Sequence, residues 1–275
     1  MIEMGKYRPV RQVRTLKTVI RGMEYAVHPW GNPDAKPVFL LHGLLDTGMS
    51  FQFVADVLPD DWYLVAPDWR GFGDTAWSKQ GYWFPDYLAD LDVLLDIFDE
   101  NNKIRLVGHS MGGNIACLYS GIHPDRVSHL VSLDVIGLPD SHAQDAPERY
   151  RKWLHQIKHA PSFSHYQDLH QLVLHINKLA PGIGEDRARF IAETWSKASE
   201  EGGYSIKADP AHKRVNPILY RREEARSCWR NISAKTMLVF GGNSRFYRNY
   251  SNEGYQNDFH DCVVDLQEEI IPDAS

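Results

Sequence analysis

Ile104-Arg105-Leu106-Val107-Gly108-His109-Ser110-Met111-Gly112-Gly113 is the stretch that decides how this 275-residue chain folds. An apolar run with strand character meets Gly-x-Ser-x-Gly, and a helix-like pattern over 114–119 follows without a spacer. A strand that turns directly into a helix must hold its middle residue in a strained backbone geometry. Gly108 and Gly112 carry no Cβ, so the two elements can cross closely. Ser110 is thereby lifted out of the backbone, with its Oγ exposed and a helix N-terminus behind it. An isolated Gly-x-Ser-x-Gly reads as a plain turn; set between strand and helix patterns it reads as a nucleophile elbow.

The pattern on either side extends this reading. Residues 37–41 and 62–66 are continuous apolar runs, as expected of strands buried on both faces. Residues 127–133 read as the next strand, 236–242 as a clear buried strand and 262–266 as the last one. Residues 18–20 and 23–27 alternate across Arg21-Gly22, which predicts an antiparallel hairpin at the sheet edge. Pro85 suits the first turn of a helix whose apolar face carries Tyr87, Leu88, Leu91, Leu94, Leu95 and Phe98. Strands alternating with helices predict an α/β protein, a mostly parallel central sheet with helices on both faces. Between about 139 and 231 strand signals vanish, and helical stretches rich in His, Arg and Trp take over. The expected organisation is a core of 1–138 and 232–275 with a helical insertion at 139–231.

Leu41-His42-Gly43-Leu44, Asp68-Trp69-Arg70-Gly71-Phe72-Gly73 and the run from Gly108 to Gly113 together resemble the α/β-hydrolase superfamily, over about residues 18–266. The resemblance implies that fold, with the insertion as a cap over the pocket, and a serine hydrolase acting on a small ester or related acyl substrate. By the family's pattern Ser110 is the nucleophile, and the backbone N–H groups of Leu44 and Met111 form the oxyanion hole. His42, Gly43 and His109 are then expected beside the substrate, His42 bracing its loop and His109 packing beneath the bend. A serine at this position argues against the haloalkane dehalogenase and epoxide hydrolase relatives, which use Asp there. Trp69, Phe72, Trp77, Trp153 and Trp195 suggest an apolar pocket.

The rest of a triad is harder to place. The family's acid follows the seventh strand in Gly-x-x-Asp, but here that loop reads Gly241-Gly242-Asn243-Ser244. Some members place the acid after the sixth strand, where Asp134 stands; the alternative is a strand-end carboxylate that caps backbone amides. The family's base lies a few residues beyond the last strand, yet no histidine follows His260. Three accounts stay open: a truncated enzyme, a base supplied by His155, His159, His165, His170, His175 or His212, or a vestigial protein that binds without catalysing. Without a base, hydrolysis is expected to be impaired. Cofactor-free oxygen or peroxide chemistry is a further option on this scaffold.

Bulk properties bound the partners. With 30 Lys+Arg against 36 Asp+Glu the net charge is −6, which gives no reason to expect nucleic acid. No run of 18 apolar residues exists, so no membrane span is expected. The basic N-terminal stretch lacks the apolar core of a signal peptide and reads as a solvated lead-in to the first strand. Cys117, Cys228 and Cys262 are an odd count without metal spacing, consistent with free thiols in the cytoplasm. His155 and His159 share a helix face but lack a third ligand, so neither metal nor cofactor is expected. The expected partner is a small-molecule substrate. Loss of the family's closing helix would expose apolar surface and favour a homo-oligomer.

Overall fold

The computed structural model describes residues 7–252 and 256–274. β1 (Leu16–Ile20) and β2 (Met23–Gly31) form the expected antiparallel hairpin, turned by Arg21 and Gly22 at φ 48° and 79°. β3 (Pro37–Leu41) leads through a loop to the short α1 (Gln52–Ala55), then β4 (Tyr63–Pro67) and α2 (Phe84–Asp99). β5 (Ile104–His109) turns at once into α3 (Met111–Ile122), and β6 (Val127–Leu133) follows.

After β6 the chain leaves the sheet for α4 (Ala146–Lys158), α5 (Leu169–Leu179), α6 (Glu185–Trp195), β7 (Ser196–Ala198) and β8 (Tyr204–Ile206). It returns with α7 (Arg222–Trp229) and β9 (Lys235–Gly241), then α8 (Arg245–Asn252), α9 (Gln256–His260) and β10 (Leu266–Ile271).

The eight-stranded sheet runs β1-β2-β4-β3-β5-β6-β9-β10. β2 pairs antiparallel with β1 and β4; every pair from β4 to β10 is parallel. Period-two alternation explains why β3 is wholly apolar. Val38 and Leu40 join a cluster with Trp30, Phe51, Leu64 and Ala66, while Phe39 and Leu41 face the larger core of α2 and α3. Each such side chain contributes about 1.5–3 kcal/mol by leaving water. The chain steps from β3 to β4 on one side, then crosses to β5 on the other. The C-terminal ends of β3 and β5 therefore flank a topological switch point, where open α/β sheets leave a crevice.

Four features depart from the sequence reading. The last strand is Leu266–Ile271, not 262–266: Cys262 and Val263 are buried in the turn before it, and the acidic run Gln267-Glu268-Glu269 lies within the strand. As an edge strand, β10 keeps Ile270 and Ile271 exposed and so shows no apolar run. The insertion contains a two-stranded ribbon, β7 with β8. α7 packs into the sheet's own core: a Cβ on Gly121 of α3 would meet the Cys228 carbonyl carbon at 2.5 Å, and Trp229 is 1% exposed. α5 and α6 instead build a separate cluster from Leu172, Val173, Ile176, Ala188 and Ala192. Finally, the basic lead-in is tied down, since Val10 and Arg11 amides donate to Asp56 and the Arg11 guanidinium pairs with Asp60 at 2.8 Å.

Candidate active site

Strain marks the site. Only four non-glycine residues among those described have positive φ, and three of them end neighbouring strands: Leu45 (59°) after β3, Ser110 (49°) after β5 and Asp134 (57°) after β6. Such conformations cost about 1–3 kcal/mol each and persist where the surroundings enforce them. At Ser110 the enforcement is visible. Its N–H donates to Leu133 O (3.0 Å), and its carbonyl accepts from Asn114 N (3.0 Å). A Cβ on Gly108 would lie 2.5 Å from the Gly112 carbonyl carbon, and one on Gly112 would lie 2.5 Å from that of Leu41. The crossing requires both glycines. Ser110 is half-buried, and no side chain among the described residues hydrogen-bonds to its hydroxyl.

The loop after β3 closes onto this bend. A Cβ on Gly43 would come 3.3 Å from Ser110 Cβ and 3.0 Å from His109 Nδ1. His42 is fully buried; its Nε2 accepts from Trp69 N–H at 2.8 Å, so its Nδ1 carries the proton and donates to Gly43 O at 2.7 Å. Burial holds its pKa below the usual range and keeps it neutral. With both nitrogens committed and no surface exposed, His42 is placed to brace the loop from within. Asp46 continues the brace by accepting from Thr47 N–H and from the Trp195 indole of α6, both at 2.8 Å.

The Leu44 and Met111 N–H groups donate to no protein acceptor among the described residues. Both residues line one cavity of about 920 Å³. Trp77 and Trp153 line it as well, whereas Trp69 and Phe72 are fully buried in the core. His109 is exposed beside Gly43 and does not pack beneath the bend as expected.

Asp134 is half-buried; its N–H donates to Val239 O at 2.8 Å and its Oδ1 accepts from Gly241 N–H at 3.3 Å. No histidine pairs with it among the described residues. Ser244, at the family's other acid position, is 3% exposed, and its Oγ accepts from Tyr247 N–H (2.9 Å), capping α8. His260 lies before β10, away from Ser110, and pairs with Glu268 at 2.9 Å. Of the seven histidines of the insertion, only His212 lines the cavity. It is stacked between Phe72 and Tyr82, with Nε2 3.2 Å from Arg70 O, and burial pushes its pKa down to about 4. His155 and His159 lie exposed on α4 with ring centroids 4.5 Å apart.

Beneath the loop sits a pair with no spacing signal in the sequence. His28 Nε2 stands 3.1 Å from Asp68 Oδ2, both buried, and Asp68 also accepts from Gly48 N–H (2.7 Å) and Asp74 N–H (2.9 Å). Burial alone would raise the Asp68 carboxyl, but the His28 hydrogen bond and charge hold it below the usual range. Arg70, Asp90 and Tyr25 form a second buried knot, with Arg70 bidentate on Asp90 at 2.5 and 2.6 Å.

Residues 36–275 match the family described as alpha/beta hydrolase fold, and the chain belongs to that family. It is similar to a serine hydrolase-like protein of Danio rerio, 26% identical over 232 residues that cover 82% of this chain and 71% of the relative. Serine hydrolase-like protein 2 of Homo sapiens is 26% identical over 188 residues, 66% of this chain and 60% of the relative. The chain thus spans 60–71% of these relatives' own length. A solved thioesterase domain from the curacin biosynthetic pathway superposes with TM-score 0.83 at 20% identity, covering 94% of this chain and 92% of that one. That likeness is one of fold. Among the described residues no helix is long and apolar enough to cross a membrane.

Proposed function

We propose that this chain is a serine hydrolase of carboxylic esters or related acyl compounds, with Ser110 as nucleophile and the Leu44 and Met111 amides as oxyanion donors. The observation that carries this reading is a strained, half-buried Ser110 next to two residues, Leu44 and Met111, that line one cavity and whose N–H groups have no acceptor among the described residues. Attack by Ser110 Oγ on an ester carbonyl would place negative charge on the carbonyl oxygen. One preorganised donor is worth about 3 kcal/mol for that charge. The segment 139–231 acts as the cap in this reading, with Trp153 of α4 and His212 supplying part of the cavity wall. Free Cys117, Cys228 and Cys262 support a reducing, cytoplasmic setting.

Among the described residues no histidine hydrogen-bonds to Ser110, and turnover needs a base to take the hydroxyl proton. Asp134 is the acid nearest the family's pattern. Its acceptance of Gly241 N–H favours a second reading, a binding protein whose triad is no longer assembled. A fluorophosphonate probe separates the two. Covalent labelling of the folded chain that disappears in Ser110→Ala supports the hydrolase, and no labelling of a folded sample supports the binding protein.

A further inference from the structure

The cavity beside Ser110 is cationic in a chain that is acidic overall. Arg21, Arg70, Lys79 and Arg214 line it against Glu24 and Asp86. Two of these cations are spoken for: Arg21 pairs with Asp86 (2.9 Å) and Asp90 (3.1 Å), and Arg70 pairs with Asp90 (2.5 Å) and Asp86 (3.1 Å). Lys79 is exposed and its ammonium is solvated. Arg214 differs from all three. Its guanidinium meets no acceptor among the described residues, and its Nε is shut off from solvent. A donor buried without an acceptor is costly; in the half-buried Arg214 side chain Nε is in that position, and nothing in its own loop accepts from it.

The loop around Arg214 is not loose, so this is not a side chain awaiting a chance contact. Lys213 donates to Ser162 O at 2.7 Å and lies over the Phe163 ring. Val215 N–H donates to Gln156 Oε1 of α4 at 2.8 Å, and Arg149 donates to Asn216 O at 3.2 Å. Each polar neighbour is engaged while Arg214 is left over. Trp77, Trp83 and Ile157 share the cavity, and the two indoles are 45% and 58% exposed. An apolar wall with one unpaired guanidinium fits a ligand with an apolar body and a single anionic end, since the planar fork matches a carboxylate with two parallel hydrogen bonds.

We propose that Arg214 forms a carboxylate subsite of this cavity. Resting on the hydrolase reading above, the substrate class is an ester that carries a free carboxylate away from the bond to be cleaved. The Leu44 and Met111 amides take the reacting carbonyl, and Arg214 takes the distal charge.

The test is binding, so that it does not depend on turnover. The Ser110→Ala chain is titrated with 4-phenylbutyrate and with its neutral isostere 4-phenylbutyramide, read by tryptophan fluorescence. At low salt the acid should bind about tenfold more tightly than the amide, and the ratio should shrink as salt is raised. Arg214→Gln, added to this background, should bring the ratio to about one while leaving the amide's Kd unchanged, which also shows that the variant is folded. Arg214→Lys should keep part of the preference, and Lys79→Gln should keep it all. Equal affinity for the two probes, no binding of either, or a preference that survives Arg214→Gln or is lost in Lys79→Gln would overturn the proposal. Failure here is distinct from failure of the hydrolase reading. A chain that labels with fluorophosphonate but shows no acid preference loses only the substrate class; one that prefers the acid but never labels keeps the subsite as a binding site.

Discussion

Gly112→Ala should damage reactivity out of proportion to stability. The added Cβ would lie 2.5 Å from the Leu41 carbonyl carbon and 2.8 Å from His42 O, where ordinary contact begins at 3.4 Å. The first turn of α3 and the end of β3 must therefore part by about 1 Å, because the packed backbone has no void to absorb the methyl. Overpacking of this kind costs about 1–3 kcal/mol, and the better helix propensity of alanine returns about 1 kcal/mol. The net loss of about 0–2 kcal/mol leaves the protein folded. The same displacement separates the Met111 amide from the Leu44 loop, and a lost oxyanion donor slows acyl chemistry by about 10²–10³-fold. Gly182→Ala is the control: its φ is 93°, nothing lies within 4 Å and it is outside the cavity lining, so it carries only backbone strain. The assay is the second-order rate of fluorophosphonate labelling, with thermal denaturation in parallel. Labelling of Gly112→Ala within about twofold of the parent would refute the close-crossing argument.

Other perturbations probe the supports. His42→Leu leaves Trp69 N–H and Gly43 O unpaired in the interior and should cost about 2–5 kcal/mol by urea denaturation; a loss under about 1 kcal/mol would mean that the brace is dispensable. Asp90→Asn strands the Arg70 guanidinium and should cost about 3–5 kcal/mol in the same assay, with a small loss counting against the buried knot. His212 titrates near 4 when folded against about 6.5 unfolded, so the unfolded chain binds the extra proton and stability falls as pH drops through that window. Between pH 7 and pH 5 this one group should remove about 2 kcal/mol, and His212→Phe should flatten the pH dependence by that amount. An unchanged slope in His212→Phe would contradict the burial argument. Asp68 also favours the fold at neutral pH, but its contribution is lost only as pH falls through its depressed folded pKa, below the usual carboxylate value, so the two effects separate.

What the sequence disclosed follows its periodicities. Pro37–Leu41 is a central strand with both faces covered, and such a run is unmistakable. The bend at Ser110 was legible because its two glycines answer to contacts a few residues away. β10 was misplaced because an edge strand with exposed side chains carries no apolar signature, and the three-residue β7 and β8 are too short for a period to show. The environments of His109 and Ser244 depend on where strands end: one is left outside, and the other is captured as a helix cap. Arg214, Asp46 with Trp195, and His28 with Asp68 are joined only by tertiary structure, so no spacing announces them.

Trapping an oxygen beside Ser110 probes the geometry of the two amides itself. A crystal structure of the chain carrying an alkylphosphonyl group on Ser110 Oγ should place one phosphonyl oxygen about 2.7–3.1 Å from both the Leu44 and the Met111 amide nitrogens. A phosphonyl oxygen turned to solvent, with those two N–H groups bonded elsewhere, would contradict it.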